Sequence, residues 1–273
     1  MKAHNLNIPP PMITREHGSW AVLIVPMLVS LGVAGKWRGE FVLFLFSALG
    51  VFLSYVPAQL LLRRFSGVPQ RSERVHQAEF WGVVYAVVSL GFAGILVMRG
   101  FFWLLAIGAA GVIVFISNFY LTKKYSKSVV TDLLAVAGLT LSGPSAYYVL
   151  TGMVDMKAVS LYILNFLFFG CSVFYVHMKI KASASKKGKM EWGERLSLGR
   201  MNLTYYAVVV TIVGILAAMK FVPAIVMLAF IPMVVHGIYG TIQLSGNVRF
   251  KSLGLILLGQ AVLFGSILSR TLR

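Results

Sequence analysis

The feature that most constrains this chain is a succession of apolar runs. Each run has roughly the twenty residues that an α-helix needs to cross a hydrocarbon core about 30 Å thick. Charged residues make up only 12% of the chain and the mean hydropathy is +0.83, whereas a soluble domain carries about 25% charged residues. This composition excludes a soluble enzyme, a disordered chain and a secreted disulfide scaffold. It predicts an all-α fold, a polytopic transmembrane helical bundle.

The polar segments between the apolar runs divide the chain into about nine candidate spans. They form one integral membrane domain over residues 1–273, and no second folded domain is predicted. The predicted spans are 18–35, 40–62, 79–98, 101–121, 129–151, 156–178, 202–219, 221–241 and 252–270.

The basic residues are distributed unevenly between the two sides of this topology. The N-terminal segment and the connections 63–78, 122–128, 179–201 and 242–251 hold 18 of the 25 Lys and Arg, and the other side holds 7. Because basic residues accumulate in cytoplasmic loops, this bias predicts a cytoplasmic N-terminus and an extracytoplasmic C-terminus. Topology therefore explains the net charge of +17 without a nucleic-acid partner, for which no recognition motif is present.

Ionisable and polar residues within spans are few, and they collect toward the predicted cytoplasmic ends. Such residues are costly in a membrane and usually face protein or a cavity. Asp132 lies about one turn into the fifth span, His177 lies near the end of the sixth, and Asn118 closes the fourth. Asp132 would also suit the N-terminus of its helix through the dipole, and His177 would also suit a structural role. We predict a polar cup that opens to the cytoplasm.

The densest polar cluster is Arg15-Glu16-His17-Gly18-Ser19-Trp20, at the start of the first span. Three ionisable residues in a row exceed what topology requires, and Pro26 should kink the same span. This stretch, continuing to Pro26, resembles the start of the YwiC-like family of bacterial membrane proteins. The resemblance implies a multi-pass protein of the bacterial cytoplasmic membrane.

A looser resemblance is to the UbiA superfamily of intramembrane prenyltransferases, which have nine helices and a cytoplasmic active cavity. It covers Asn118 through Lys123 and Lys124 to Gly143-Pro144-Ser145-Ala146-Tyr147, and it implies that a prenyl diphosphate binds near Lys123 or Lys124. The aspartate-rich motif that holds magnesium in that superfamily is missing, since its place reads Pro-Ala-Gln-Leu-Leu-Leu-Arg-Arg over 57–64. Standard magnesium-dependent prenyl transfer is therefore not predicted. No metal site is assigned, although Glu191 and Glu194 would share a helix face and could hold a cation or pair with neighbouring lysines.

The predicted function is the binding or modification of an anionic amphiphile, an isoprenoid or quinone-related lipid, with membrane lipids as partners. The candidate catalytic, proton-transferring residues are His17, Asp132 and His177. The candidate substrate-binding residues are Arg15, Glu16, Asn118, Lys123, Lys124 and Arg200. Two alternatives stay open: a small-solute transporter or permease, and a b-type haem-binding membrane subunit that uses His17, His177 and His236.

Overall fold

The computed structural model describes residues 9–14, 17–125, 128–185, 188 and 190–273. Within these residues the chain is helical and has no strand. A 3-10 turn, Ala224–Val226, precedes α9. Of the predicted site residues, Arg15 and Glu16 lie outside the described residues. The helices are α1 His17–Ala34, α2 Glu40–Phe65, α3 Ser72–Met98, α4 Trp103–Tyr125, α5 Val129–Thr140, α6 Ser142–Thr151, α7 Met156–Ala184, α8 Trp192–Ala218, α9 Met227–Ile242 and α10 Phe250–Thr271.

These helices confirm the predicted polytopic helical bundle. In the described part of the chain, eight helices are long and apolar enough to cross a membrane, counting α5 with α6 as one and α9 with its 3-10 turn, and Gly18–Ala34 is a shorter apolar helix. The protein is therefore a multi-pass membrane protein. Each helix overlaps one predicted span, but several extend beyond it: α3 begins at Ser72 and α8 at Trp192, while α7 ends at Ala184.

The contacts divide the chain into two compact units. One unit contains α2 and α3 with the N-terminal segment, and the other contains α1 and α4–α10. Nothing in this division tests whether the chain forms one integral membrane domain, which stays a prediction.

The larger unit is built around α5, α6 and α7. In the most apolar stretch of each span, 61% of the residues of α5–α6 and 56% of those of α7 are buried, compared with 11% for α4. Phe168 of α7 stacks on Phe264 of α10 with ring centroids 4.0 Å apart, and Phe230 of α9 packs edge-on against Phe264. This aromatic cluster joins α7, α9 and α10 at the centre of the unit.

Two buried serines join α1 to the break between α5 and α6. The Ser30 hydroxyl donates to the carbonyl oxygen of Gly143, and the Ser142 hydroxyl donates to that of Leu23, both over 2.8 Å. Pro144 follows at the start of α6, where a helix tolerates a residue without an N–H group. The two bonds hold α1 against the junction between α5 and α6. α1 packs against both of these helices.

In the smaller unit, α2 and α3 pack closely along their length. Gly50 permits this approach, because a Cβ there would lie 2.9 Å from the Cβ of Ser89. The N-terminal segment lies along α3, where three side chains, one turn apart, donate to its backbone carbonyls. The bonds are Gln77 Nε2 to Pro10 O (2.6 Å), Trp81 Nε1 to Pro9 O (2.9 Å) and Tyr85 OH to Met12 O (3.3 Å).

Candidate functional site

The start of α5 positions the first residue of the candidate site. Ser128 and Thr131 form a capping box, in which each side-chain oxygen accepts a hydrogen bond from the other residue's backbone N–H. This box satisfies free N–H groups of the first turn. Asp132 follows in that same turn, where the helix dipole favours a carboxylate. The local sequence thus fixes both the start of α5 and the position of Asp132.

The structure brings Asp132 into contact with His177. The Nε2 atom of His177, on α7, lies 2.8 Å from Oδ2 of Asp132. The two side chains are 18% and 29% exposed respectively, so the pair lies at the edge of the packed interior. If Nε2 carries the proton that this bond requires, Nδ1 of His177 is left as a hydrogen-bond and proton acceptor.

A crevice opens beside this pair, where α7 ends and α5 and α8 begin. Its space for water-sized molecules is about 20 Å³, and the volume reaches about 250 Å³ only when the open mouth is included. The polar lining residues are His177, Lys181 and Asn202, and the apolar ones are Val129, Phe174, Met178, Leu198 and Met201. A cation, an imidazole and an amide therefore share one small space that has an apolar wall. This combination suits a ligand with an anionic head and an apolar body.

Asn202 is the most deeply buried of the polar lining residues, with 1% of its surface exposed. Its Nδ2 donates to Oγ1 of Thr241 over 3.3 Å. Its Oδ1 is buried and has no hydrogen-bond partner among the residues that the structure describes. Asn202 and Lys181 were not among the predicted site residues. The sequence signal for Asn202 was an amide at the start of the predicted span 202–219, and that for Lys181 was its place one turn after His177.

Two other cations near this end have structural roles. The Lys179 ammonium donates to the carbonyl oxygen of Gly240 over 3.0 Å. The Arg195 guanidinium donates to that of Ile242 over 2.7 Å. Both carbonyls belong to the last turn of α9, where helical partners run out and cations are favourable. Part of the basic charge of the 179–201 connection thus completes a helix end.

The structure places the remaining predicted substrate-binding residues apart from this crevice lining. Asn118 is buried on α4 and accepts a hydrogen bond from Thr122. Lys123 and Lys124 are exposed at the end of α4. Arg200 is exposed on α8, on the face opposite to Leu198, Met201 and Asn202 by the helical period. The third predicted catalytic residue, His17, is the first residue of α1.

His236, named in the haem alternative, lies deeper in the same unit. Its Nε2 is 3.3 Å from the hydroxyl oxygen of Tyr175. Since His177 also uses Nε2, toward Asp132, the haem alternative stays a prediction that rests on the other ring nitrogens. In the described part of the chain, no group of three or more His, Cys, Asp or Glu residues is arranged to hold a metal ion.

Comparison with known proteins gives a family for the first half of the chain. No curated protein and no solved structure matches this chain, and the resemblance to the UbiA superfamily therefore stays a prediction. Residues 13–147 match the family model described as YwiC-like protein, which confirms the resemblance based on the Arg15–Trp20 cluster. The match includes α1 and Asp132, but not His177 or the rest of α7. Over residues 13–147 the chain is therefore similar to the YwiC-like protein family.

Proposed function

We propose that this multi-pass membrane protein binds an anionic amphiphile, an isoprenoid or quinone-related lipid, by its head group in the crevice beside Asp132 and His177. The observation that carries the proposal is the 2.8 Å contact between these two residues at a crevice that Lys181 also lines. Ionisable groups within spans are costly and tend to serve a pathway or a site. Here the paired Asp132 and His177 lie at the same crevice that Lys181 lines.

The charge distribution supports a cytoplasmic opening for this crevice. The positive-inside bias favours a cytoplasmic N-terminus and an extracytoplasmic C-terminus in a bacterial cytoplasmic membrane. In that orientation the start of α5 and the end of α7 lie on the cytoplasmic side, and Val129 and Lys181 at these helix ends line the crevice. A lipid head group in the cytoplasmic leaflet would then meet Lys181 at the mouth, while its chain lies against the apolar helices.

The Asp132–His177 pair gives this site a further chemical capacity. A carboxylate that accepts from Nε2 holds the imidazole in one tautomer. His177 Nδ1 would then accept a proton from a bound hydroxyl or thiol, as a general base does. The proposal includes no magnesium-dependent prenyl transfer, because the sequence lacks the aspartate-rich motif on which that chemistry depends.

Native mass spectrometry of the gently purified protein tests the proposal by its co-purified mass. We expect a bound anionic lipid that Lys181→Met reduces several-fold. The matched control is Arg200→Met, which removes an exposed cation of the same region from the opposite face of α8 and should retain the lipid. A double variant, Lys123→Ala with Lys124→Ala, measures how much the two cations at the end of α4 contribute to lipid binding.

Four outcomes would contradict the proposal. A protein without lipid, or lipid that Lys181→Met and Arg200→Met reduce equally, would refute binding at this crevice. A bound haem with its Soret band would favour the haem-binding subunit instead. Directional uptake of a solute into sealed vesicles, without any retained lipid, would favour the transporter.

A further inference from the structure

Three ionisable side chains set the charge that a ligand meets at the crevice. His177 and Lys181 both line it, one helical turn apart on α7. Asp132 on α5 contacts the imidazole of His177 over 2.8 Å. With a neutral imidazole, the ammonium and the carboxylate cancel, so the three side chains carry no net charge. With a protonated imidazole, they carry one net positive charge.

The other ionisable side chains near this end lie outside the crevice lining. The cations of Lys179 and Arg195 donate to carbonyl oxygens at the end of α9. Among the side chains that the structure describes, only His177 and Lys181 are ionisable lining residues. The charge of the crevice therefore depends on the state of the imidazole. The further ionisable side chains on helices packed against α7 are Tyr147 and Tyr148 on α6, Glu194, Arg200, Tyr205 and Tyr206 on α8, and His236 and Tyr239 on α9.

We infer that the crevice takes up one proton from solution when it binds an anionic head group, and that this proton is added to His177. The inference rests on the proposed function and concerns the regulation of the same site. While the imidazole is neutral, the carboxylate of Asp132 opposes the attraction of an anion to Lys181. Protonation of the imidazole cancels that opposition. Because Nε2 carries the hydrogen directed at Asp132, the added proton goes to Nδ1.

This coupling fixes the direction of the pH dependence of binding. Histidine side chains ordinarily change charge between about pH 5 and pH 8. An anion should therefore bind most tightly at the acidic end of that range, and its affinity should fall as the pH rises through it. Two unit charges about 6 Å apart, at an effective dielectric constant of about 40, attract each other enough to change the affinity about tenfold.

The probe for this measurement must keep its own charge constant. Farnesyl methyl phosphate is a synthetic isoprenoid phosphodiester, and it has one negative charge throughout this pH range. The full-length protein in detergent micelles is titrated with it at about pH 5.5 and at about pH 8.5, at equal ionic strength, and the bound probe is counted by native mass spectrometry. We expect an affinity about ten times higher at the lower pH.

His177→Gln tests whether this histidine is the group that takes up the proton. Glutamine can still donate to Asp132 but cannot gain a charge. The affinity of this variant should not change with pH, and it should equal the low affinity of the wild-type protein at about pH 8.5. The matched control is His236→Gln, because His236 lies on α9 outside the crevice lining. That variant should keep the pH dependence of the wild-type protein.

Asp132→Asn distinguishes a charge effect from the loss of a contact. A lost contact would weaken binding. The charge balance predicts the reverse at high pH, because without the carboxylate the crevice has one net positive charge even when the imidazole is neutral. The affinity of Asp132→Asn at about pH 8.5 should therefore be about ten times that of the wild-type protein.

The outcomes separate this inference from the proposed function. A wild-type affinity that does not change with pH would overturn the inference and leave binding of an anionic amphiphile intact, and this result does not depend on whether a variant folds. A pH dependence that survives in His177→Gln, or weaker binding by Asp132→Asn at high pH, would also overturn it. Lys181→Met should lower the affinity at every pH. Binding that Lys181→Met does not reduce, or no binding of the probe at any pH, would refute the proposed function itself.

Discussion

Replacement of Gly237 by alanine should destabilise the bundle, because this glycine accommodates a tyrosine ring. A Cβ at Gly237 would overlap the ring and hydroxyl of Tyr206, which is 2% exposed. Gly240 and Gly170 accommodate Tyr175 and Tyr205 in the same way. These glycines let α7, α8 and α9 approach one another, as small residues do between membrane helices.

The magnitude follows from two opposing effects. Alanine is favoured over glycine within a helix by about 0.5–1 kcal/mol, while forcing an extra carbon into a packed interior costs about 1–3 kcal/mol. The matched control is Gly214→Ala on α8, where nothing lies within 4 Å of the added carbon. That variant gains the helix preference without the clash. The free energy of unfolding should therefore be about 1–3 kcal/mol lower for Gly237→Ala than for Gly214→Ala.

Unfolding by SDS in mixed micelles, followed by tryptophan fluorescence, measures this difference. We expect a lower SDS midpoint for Gly237→Ala than for the wild-type protein, and an equal or higher midpoint for Gly214→Ala. In a Tyr206→Leu background, where the ring is gone, Gly237→Ala should cost less, as a double-mutant cycle would show. Equal SDS midpoints for the two alanine variants, or no coupling to Tyr206, would refute the conclusion that the Tyr206 ring packs directly against Gly237.

Three further predictions concern hydrogen bonds made by side chains at the ends of helices and to the N-terminal segment. Ser128→Ala should lower the free energy of unfolding by about 1 kcal/mol, through loss of the cap of α5; an SDS midpoint like that of wild type would contradict this. Trp81→Phe removes the hydrogen bond to the carbonyl oxygen of Pro9, so limited proteolysis should cleave the N-terminal segment faster than in the wild-type protein, and unchanged cleavage would count against a role in holding it. Arg195→Met removes the donor to Ile242 O and should raise hydrogen exchange in the last turn of α9 only, whereas exchange that rises along the whole helix would indicate a different role.

Hydropathy predicts the membrane-crossing part of each helix well and the ends of the helices less well. The predicted span 129–151 contains Ser142-Gly143-Pro144, and there the structure ends α5 at Thr140 and begins α6 at Ser142. By contrast, α3 begins seven residues before its predicted start, and α8 begins ten residues before. An apolar run marks what lies in hydrocarbon, whereas the helical hydrogen bonds continue through the charged residues beyond it.

The candidate site was predictable as a set of residue types but not as an arrangement. Asp132 and His177 were each noticeable because an ionisable residue in a span is costly. Their contact depends on how α5 and α7 are rotated about their axes, and each residue turns a helix face by about 100°. An uncertainty of one residue in register is therefore enough to hide the pairing. Asn202 was harder to identify, since only the packing of the helices places it at the crevice and beside Thr241.

The hydrogen bonds between the N-terminal segment and α3 have a consequence for the order of events during synthesis. The bonded partners are 67, 72 and 73 residues apart in the chain. At about 5–20 residues per second, the ribosome makes the second partner roughly 3–15 s after the first. α1 and α2 are synthesised during that interval. Until it ends, Pro9–Met12 has no α3 on which to dock. The segment Pro9–Met12 therefore docks on α3 only after α3 has emerged from the ribosome.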